Sequence, residues 1–441
     1  MPVTNFSLED PFEYLAGFNA WHQTETAPGI IPQGTTFLQK GKYGVYPERV
    51  SGTSFTVPRK DSKQTFLYRL LPSTCHDEFI EAIDHPFNAS FAHEALNFKP
   101  NQSMWAPIQI TEEDDFVTGL RLIGGAGEPT MKKGVAYYAY TAGKSMPKNQ
   151  AFDSADGDMC IVPQKGTLDI RTEMGNLRVR PYEICVVPRG IRFHVSLPDG
   201  PARGFILETF AGHFELPELG PIGSYGLANV RDFEVPKASF VDTDEDTELL
   251  SKFAGTLHRA TYRGGIFNVA GWHGTYYPFK YDLGKFNAMG SISYDHPDPS
   301  IATVLTCASE VPGQAVADIV VFGPRWVVFE NSFRPPRYHR NTMSEFIFLV
   351  KGSFGPEPMP AHLEGMFGLS NTMSAHGPSA ATYDHATSEE LVPQRIDEKN
   401  MGLMFESCYQ IGTTKWVDTV PTKMAASPAG TANLQKVHIP E

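Results

Sequence analysis

The chain reads as an all-β protein, a sandwich or jelly roll, and three observations predict it. Short apolar runs recur about every ten residues, turn-forming clusters separate them, and 39 Gly and 35 Pro among 441 residues supply many breaks. Residues 1–60, rich in turn formers such as Pro28-Gly29 and Pro32-Gln33-Gly34, read as an extended arm. Strand-like runs follow at 116–123, 134–141, 158–163, 167–173, 177–180, 184–187 and 204–210, with turns at Gln164-Lys165-Gly166 and Met174-Gly175-Asn176. The acidic stretch 236–260 is the best helix and linker candidate, and Asp242–Glu248 within it reads as a solvated face. A second β-rich block comprises 267–272, 301–308, 315–322, 326–329, 344–350 and 403–411. Between Gly352 and His376 a long Gly- and Pro-rich loop is expected, and loops of that length are usually functional. No repeat of about 20–50 residues is present, which excludes solenoids and propellers.

The most informative stretch is 334–352, R-P-P-R-Y-H-R-N-T-M-S-E-F-I-F-L-V-K-G. It sets His339 and Glu345 six positions apart in an apolar run closed by a glycine, and His376 follows in S-A-H-G-P. Two imidazoles and one carboxylate are the donor set of a facial-triad iron(II) site, which leaves three positions for oxygen and a chelating substrate. Six steps of straight strand span about 20 Å, so the chain must bend near Asn341–Ser344 for both side chains to reach one ion. The spacing H-x-N-x-x-x-E-x-x-x-x-x-x-G matches the cupin motif, in which a strand turns over a metal, with Asn341 where a second His often stands. A lone H-x5-E is weak, and a His beside Arg and Asn is commonly a surface residue. The Pro335-Pro336 break, the second His before Gly-Pro and the cost of burying an unpaired Glu in M-S-E-F-I-F-L-V favour the metal.

The segment 188–195, P-R-G-I-R-F-H-V, resembles a second cupin motif, but the strands before it offer no H-x-H or Glu. That half reads as a roll without metal, with His194 structural. His273, in W-H-G-T-Y-Y, reads as core packing. His296, in Y-D-H-P-D-P-S, sits between two carboxylates and two prolines. This wiring suits a general base, and an ordinary surface turn fits it equally. No G-x-x-x-x-G-K-[ST], strand-linked G-x-G-x-x-G or G-x-S-x-G is present. Gly124-Gly125-Ala126-Gly127 has no helix after it to receive a phosphate.

A net charge of −13 argues against nucleic acid or an anionic membrane as partner. No basic-then-apolar leader opens the chain, and no apolar run approaches the length of a membrane helix. Cys75, Cys160, Cys185, Cys307 and Cys408 are odd in number and never form C-x-x-C, as expected of reduced, mostly buried thiols. A soluble, cytoplasmic protein is expected.

Over residues 30 to 417 the chain resembles the homogentisate 1,2-dioxygenase family. The resemblance rests on L-Y-R-L-L-P-S (67–73), D-G-D with I-V-P-Q-K-G (156–166), F-E-L-P (214–217), G-P-I-G (220–223), G-L-A-N (226–229), W-H-G (272–274), D-P-S (298–300) and F-R-P-P (333–336). It implies a large N-terminal β-domain, taken as 1–285 with its arm, and a smaller metal-bearing C-terminal cupin domain, 286–441. It also implies iron(II) held by His339, Glu345 and His376, a base at His296, and a trimer or hexamer.

Three departures from the family pattern bear on the expected pocket. Phe348 replaces the glycine of M-S-E-F-M-G-L, Phe354 the tyrosine of G-x-Y, and Ser370 the histidine of S-L-H. With Asn341 and His376, these are the expected substrate-contacting positions, and they suggest a more apolar pocket. The expected activity is extradiol-type cleavage of homogentisate with O₂ to maleylacetoacetate, with His296 taking the phenolic proton. Alternatives are the same chemistry on a larger phenol of secondary metabolism, or a cupin that binds metal without oxidising its ligand.

Overall fold

The computed structural model describes residues 8–34, 40–81, 85, 87, 91, 94–218, 226–288, 302–327, 337–354, 359–390, 392–424 and 428–440. Within them three large sheets stack in layers, the arrangement of a β-sandwich cupin, and the middle layer is a nine-stranded sheet. Strand Lys133–Ala142 of that sheet is buried from its second residue onward, because both its faces are covered. Tyr138 and Tyr140 alternate with Tyr137, as strand geometry requires. Tyr140 meets Phe116, which also meets Phe193 of the seven-stranded sheet. Tyr137, pointing the other way, stacks on Phe346 of the six-stranded sheet at 4.9 Å. Continuous burial, as along Asp158–Lys165 with its apolar centre 159–163, is thus the signature of a strand covered twice.

The arm wraps the chain's own sheets. Tyr14–Ala16 pairs with Phe233–Pro236, His22–Glu25 with Val269–Gly274, and Tyr46–Ser51 with Gln64–Arg69. The expected helix over 236–260 is not formed. Thr247–Phe253 and Thr256–Tyr262 make a hairpin whose two-residue turn, Ala254-Gly255, has positive φ at both positions. Of the carboxylates that suggested a helix, Asp242, Asp244, Glu245 and Asp246 occupy an exposed connection ahead of it, and Glu248 lies exposed in its first strand. The expected loop between Gly352 and His376 also contains structure, a 3₁₀ turn Ala361–Leu363 and a strand Phe367–Ser370.

The two halves exchange strands. Ser103–Trp105 joins the C-terminal six-stranded sheet beside Phe367–Ser370. Gly412–Thr413 returns to the nine-stranded sheet beside Leu120–Glu128. The glycine cluster serves this second contact, since a Cβ on Gly124 would stand 2.4 Å from the Gly412 carbonyl oxygen. His194 is buried and bonds to the Gln150 carbonyl and Ser196, while His273 packs on Phe66 and Tyr68. The five cysteines are free thiols. No helix among the described residues is long and apolar enough to cross a membrane.

Candidate metal centre

The site is built where the six-stranded sheet begins. His339 and His376 lie on antiparallel segments joined by reciprocal backbone hydrogen bonds, His339 N–H to His376 O at 2.9 Å and His376 N–H to His339 O at 3.1 Å. After His339 the chain bends at Thr342 and Met343 and enters strand Ser344–Lys351, so Glu345 folds back toward both rings. The left-handed Met373 (φ +57°) turns the other segment, its N–H bonding the Asn341 carbonyl. Ser344 Oγ ties the bend to Asn371 and the Tyr409 carbonyl.

The three side chains converge. Their ligand atoms all lie within 4.8 Å of one another. Glu345 Oε2 is 3.0 Å from His376 Nε2, Oε1 is 3.5 Å from His339 Nε2, and the imidazole centroids are 4.1 Å apart. Each ring is fixed from behind, His339 Nδ1 by the Arg337 carbonyl at 2.6 Å and His376 Nδ1 by the Ser374 carbonyl at 2.8 Å. Such bonds select the tautomer that leaves Nε2 as the free donor. Asn341 Nδ2 donates to Glu345 Oε1, so it orients the carboxylate. Burial pushes the Glu345 carboxyl up, but His376, Asn341 and His339 hold it below its ordinary value. Burial pulls His376 down, and Glu345 raises it above the ordinary range. A half-buried carboxylate facing two fixed imidazoles is a donor set that fits a divalent cation.

Register defines what else faces this point. Glu345 lies opposite Ser370 on one side and Glu406 on the other, and Glu406 lies opposite Asp318. Directly opposed residues share a face, so one row runs Ser370, Glu345, Glu406, Asp318. Burial raises the Asp318 carboxyl, with a Thr306 hydrogen bond opposing it. An open groove of about 810 Å³, lined by Gln164, Arg180, Arg203 and Lys351 among others, is a separate feature. Lys351 is six residues along the strand from Glu345, about 20 Å.

Family models for the N-terminal and C-terminal parts of homogentisate 1,2-dioxygenase match residues 13–283 and 284–429. The homogentisate 1,2-dioxygenase of Emericella nidulans is 50% identical over 94% of this chain and 93% of its own length. Those of Drosophila melanogaster and Dictyostelium discoideum are each 44% identical, over 94% and 92% of this chain and 95% and 93% of theirs. The chain belongs to the homogentisate 1,2-dioxygenase family.

Against the homogentisate dioxygenase pattern, the three departures take different places. Phe348 does not line the site. It is fully buried on the opposite face of its strand from Glu345, 4.6 Å from Phe205 and 5.0 Å from Phe405. An odd separation from Glu345 sends it into the interlayer core, so the substitution concerns packing. Phe354 covers Gly402, whose added Cβ would sit 2.3 Å from its ring. Gly402 is opposite Leu349, four residues and about 13 Å along the strand from Glu345. Ser370, opposite Glu345, does lie beside the centre. His296 falls outside the described residues. The sequence reading missed Ile347, Glu406 and Asp318. Period-two alternation from Glu345 was the available signal for Ile347, whereas Glu406 and Asp318 needed the pairing register.

Proposed function

We propose that this chain is a homogentisate 1,2-dioxygenase that holds Fe(II) through His339, Glu345 and His376 and opens the ring of homogentisate to give maleylacetoacetate. The supporting observation is the convergence of two fixed Nε2 atoms and one half-buried carboxylate on a single point. The bound iron would supply open coordination positions where O₂ and a chelating phenol meet. Both oxygen atoms enter the product as one ring C–C bond breaks, so no external reductant is required. His376 and His339 hold the metal with their tautomers preset, and Asn341 keeps the Glu345 carboxylate turned toward it. His296 takes the phenolic proton, which raises the electron density of the ring. Ser370 and Asn341 border the substrate, and Phe354 closes the far end of the site.

The substrate is a small molecule, the protein works in the cytoplasm, and it assembles as a homotrimer or hexamer. Residues 1–285 and 286–441 are its two domains. The homologues favour homogentisate over a larger phenol, and Phe348, one of the three departures that suggested the latter, is buried away from the centre.

The test is anaerobic reconstitution with Fe(II) followed by oxygen uptake on homogentisate. One O₂ consumed per homogentisate is expected. Glu345→Ala should lose both iron and turnover, whereas His296→Asn should keep iron and lose about 10²–10⁴-fold in rate. Full activity with zinc alone, or iron content unchanged in Glu345→Ala, would overturn the assignment.

A further inference from the structure

Strand Ser344–Lys351 carries its phenylalanines into the interlayer core and sets Ile347 and Leu349 on the face of Glu345, Ile347 the nearer of the two. Phe346, Phe348, Leu349 and Val350 are fully buried, but Ile347 is only half-buried. It shares the face of Glu345, two residues and about 7 Å further along. Opposite Ile347 lie Met404 on one side and Gly368 on the other, with Val320 opposite Met404 and Met104 opposite Gly368. An apolar row, Met104, Gly368, Ile347, Met404 and Val320, therefore runs beside the polar row Ser370, Glu345, Glu406 and Asp318. The glycine keeps that row flat, since a Cβ on Gly368 would meet Met104 Sδ at 2.6 Å and Ile347 Cγ2 at 3.5 Å. Phe354, over Gly402, bounds the face about 13 Å from Glu345.

We infer that Ile347, backed by Met404 and Val320, is the shelf on which the aromatic ring of the substrate lies, and that it determines which dihydroxyphenyl acids the enzyme accepts. This rests on the function proposed above. A ring bonded to the metal through its oxygen must find an apolar surface within one ring's width of the ion. The apolar row is at that distance, and the polar row offers none. Glu406 and Asp318 offer no cationic partner on their flank, so the substrate carboxylate points away from them. Where the family pattern has a methionine, Ile347 is shorter and β-branched, which stiffens the shelf. In this chain the substitution at 347 thus meets the substrate, as that at Ser370 does, and the change at 348 is a packing adjustment behind it.

The experiment compares kcat/KM of the iron-loaded protein on homogentisate, on gentisate (one methylene shorter) and on 2,5-dihydroxyphenylpropionate (one methylene longer). Ile347→Ala and Ile347→Met are measured beside Phe348→Leu, which alters the same strand on its other face. Ile347→Ala is expected to raise KM for homogentisate about tenfold with iron content unchanged. It should also narrow the preference for homogentisate over the longer acid about tenfold, the scale of one methylene in an apolar pocket. Ile347→Met should shift the preference less, and Phe348→Leu should lower the melting temperature without shifting it. An unchanged preference in both Ile347 variants, or an equal shift in Phe348→Leu, would overturn the shelf. A wild-type protein that consumes no O₂ with homogentisate would instead overturn the proposed function itself.

Discussion

Asn341 shows how little of a side chain's role is visible in its name. Its position suggested a vacant cupin ligand, and the fold makes it the hydrogen-bond donor that turns Glu345 toward the two imidazoles. Partners of this kind typically set metal affinity by about 10–100-fold. Asn341→Ala should therefore weaken iron retention by that factor, read by competition with a chelator, while the secondary structure stays intact. Asn341→Gln, which cannot place its amide at the same point, should behave as the alanine variant does. Equal iron affinity in all three proteins would reduce Asn341 to a turn residue.

Single elements carry two further expectations. In strand Ser344–Lys351 the ring of Phe348 fills space between Phe205 and Phe405. Phe348→Ala should cost about 3–5 kcal/mol of stability through the cavity it leaves. Denaturation should show that loss while KM for homogentisate stays close to wild type. The start of strand Asp158–Lys165 is pinned by Asp158, which accepts from the Arg189 backbone and Nε and from His213 Nδ1 at 2.6 Å. Burial alone would push its carboxyl up, but His213 and Arg189 hold it down at about 2. The folded value lies below the ordinary carboxylate value of about 3.9. The stabilisation is thus present above about pH 4 and lost as pH falls from 4 through 2, an effect of about 2–3 kcal/mol. Asp158→Asn should flatten that part of the curve of urea midpoint against pH. A slope identical to wild type would show that other groups control acid unfolding.

At the scale of the whole molecule the exchanged strands decide cooperativity. Ser103–Trp105 completes a C-terminal sheet, and Gly412–Thr413 completes an N-terminal one. Cutting the chain near residue 285 would leave each half with an unpaired edge and an uncovered apolar face, the Tyr137 and Phe205 face on one and the Phe346 and Phe348 face on the other. Calorimetry of the full chain should give one transition, and the separate halves should aggregate when expressed alone. Two well-separated transitions would show that the layers fold independently.

Most strands were legible in the sequence, including Ala315–Phe322 to the residue, because turn chemistry and short apolar runs are local properties. So was the convergence of His339, Glu345 and His376, since a bend between His339 and Glu345 is the only way such a spacing can bring both side chains to one point. The 247–262 hairpin was not legible, because carboxylates in a connection and on a helix face look alike in composition. The strand Phe367–Ser370 was hidden for another reason: it is held by its partners at Ser103–Trp105 and Ser344–Lys351 rather than by its own propensity. Which departures from the family pattern matter was also a tertiary question. Residue identity says that a phenylalanine has replaced a glycine, but only the layering of sheets says that Phe348 points into the core and Ile347 lies on the face of Glu345. Local periodicity assigns residues to two faces, and packing alone decides which face becomes the site.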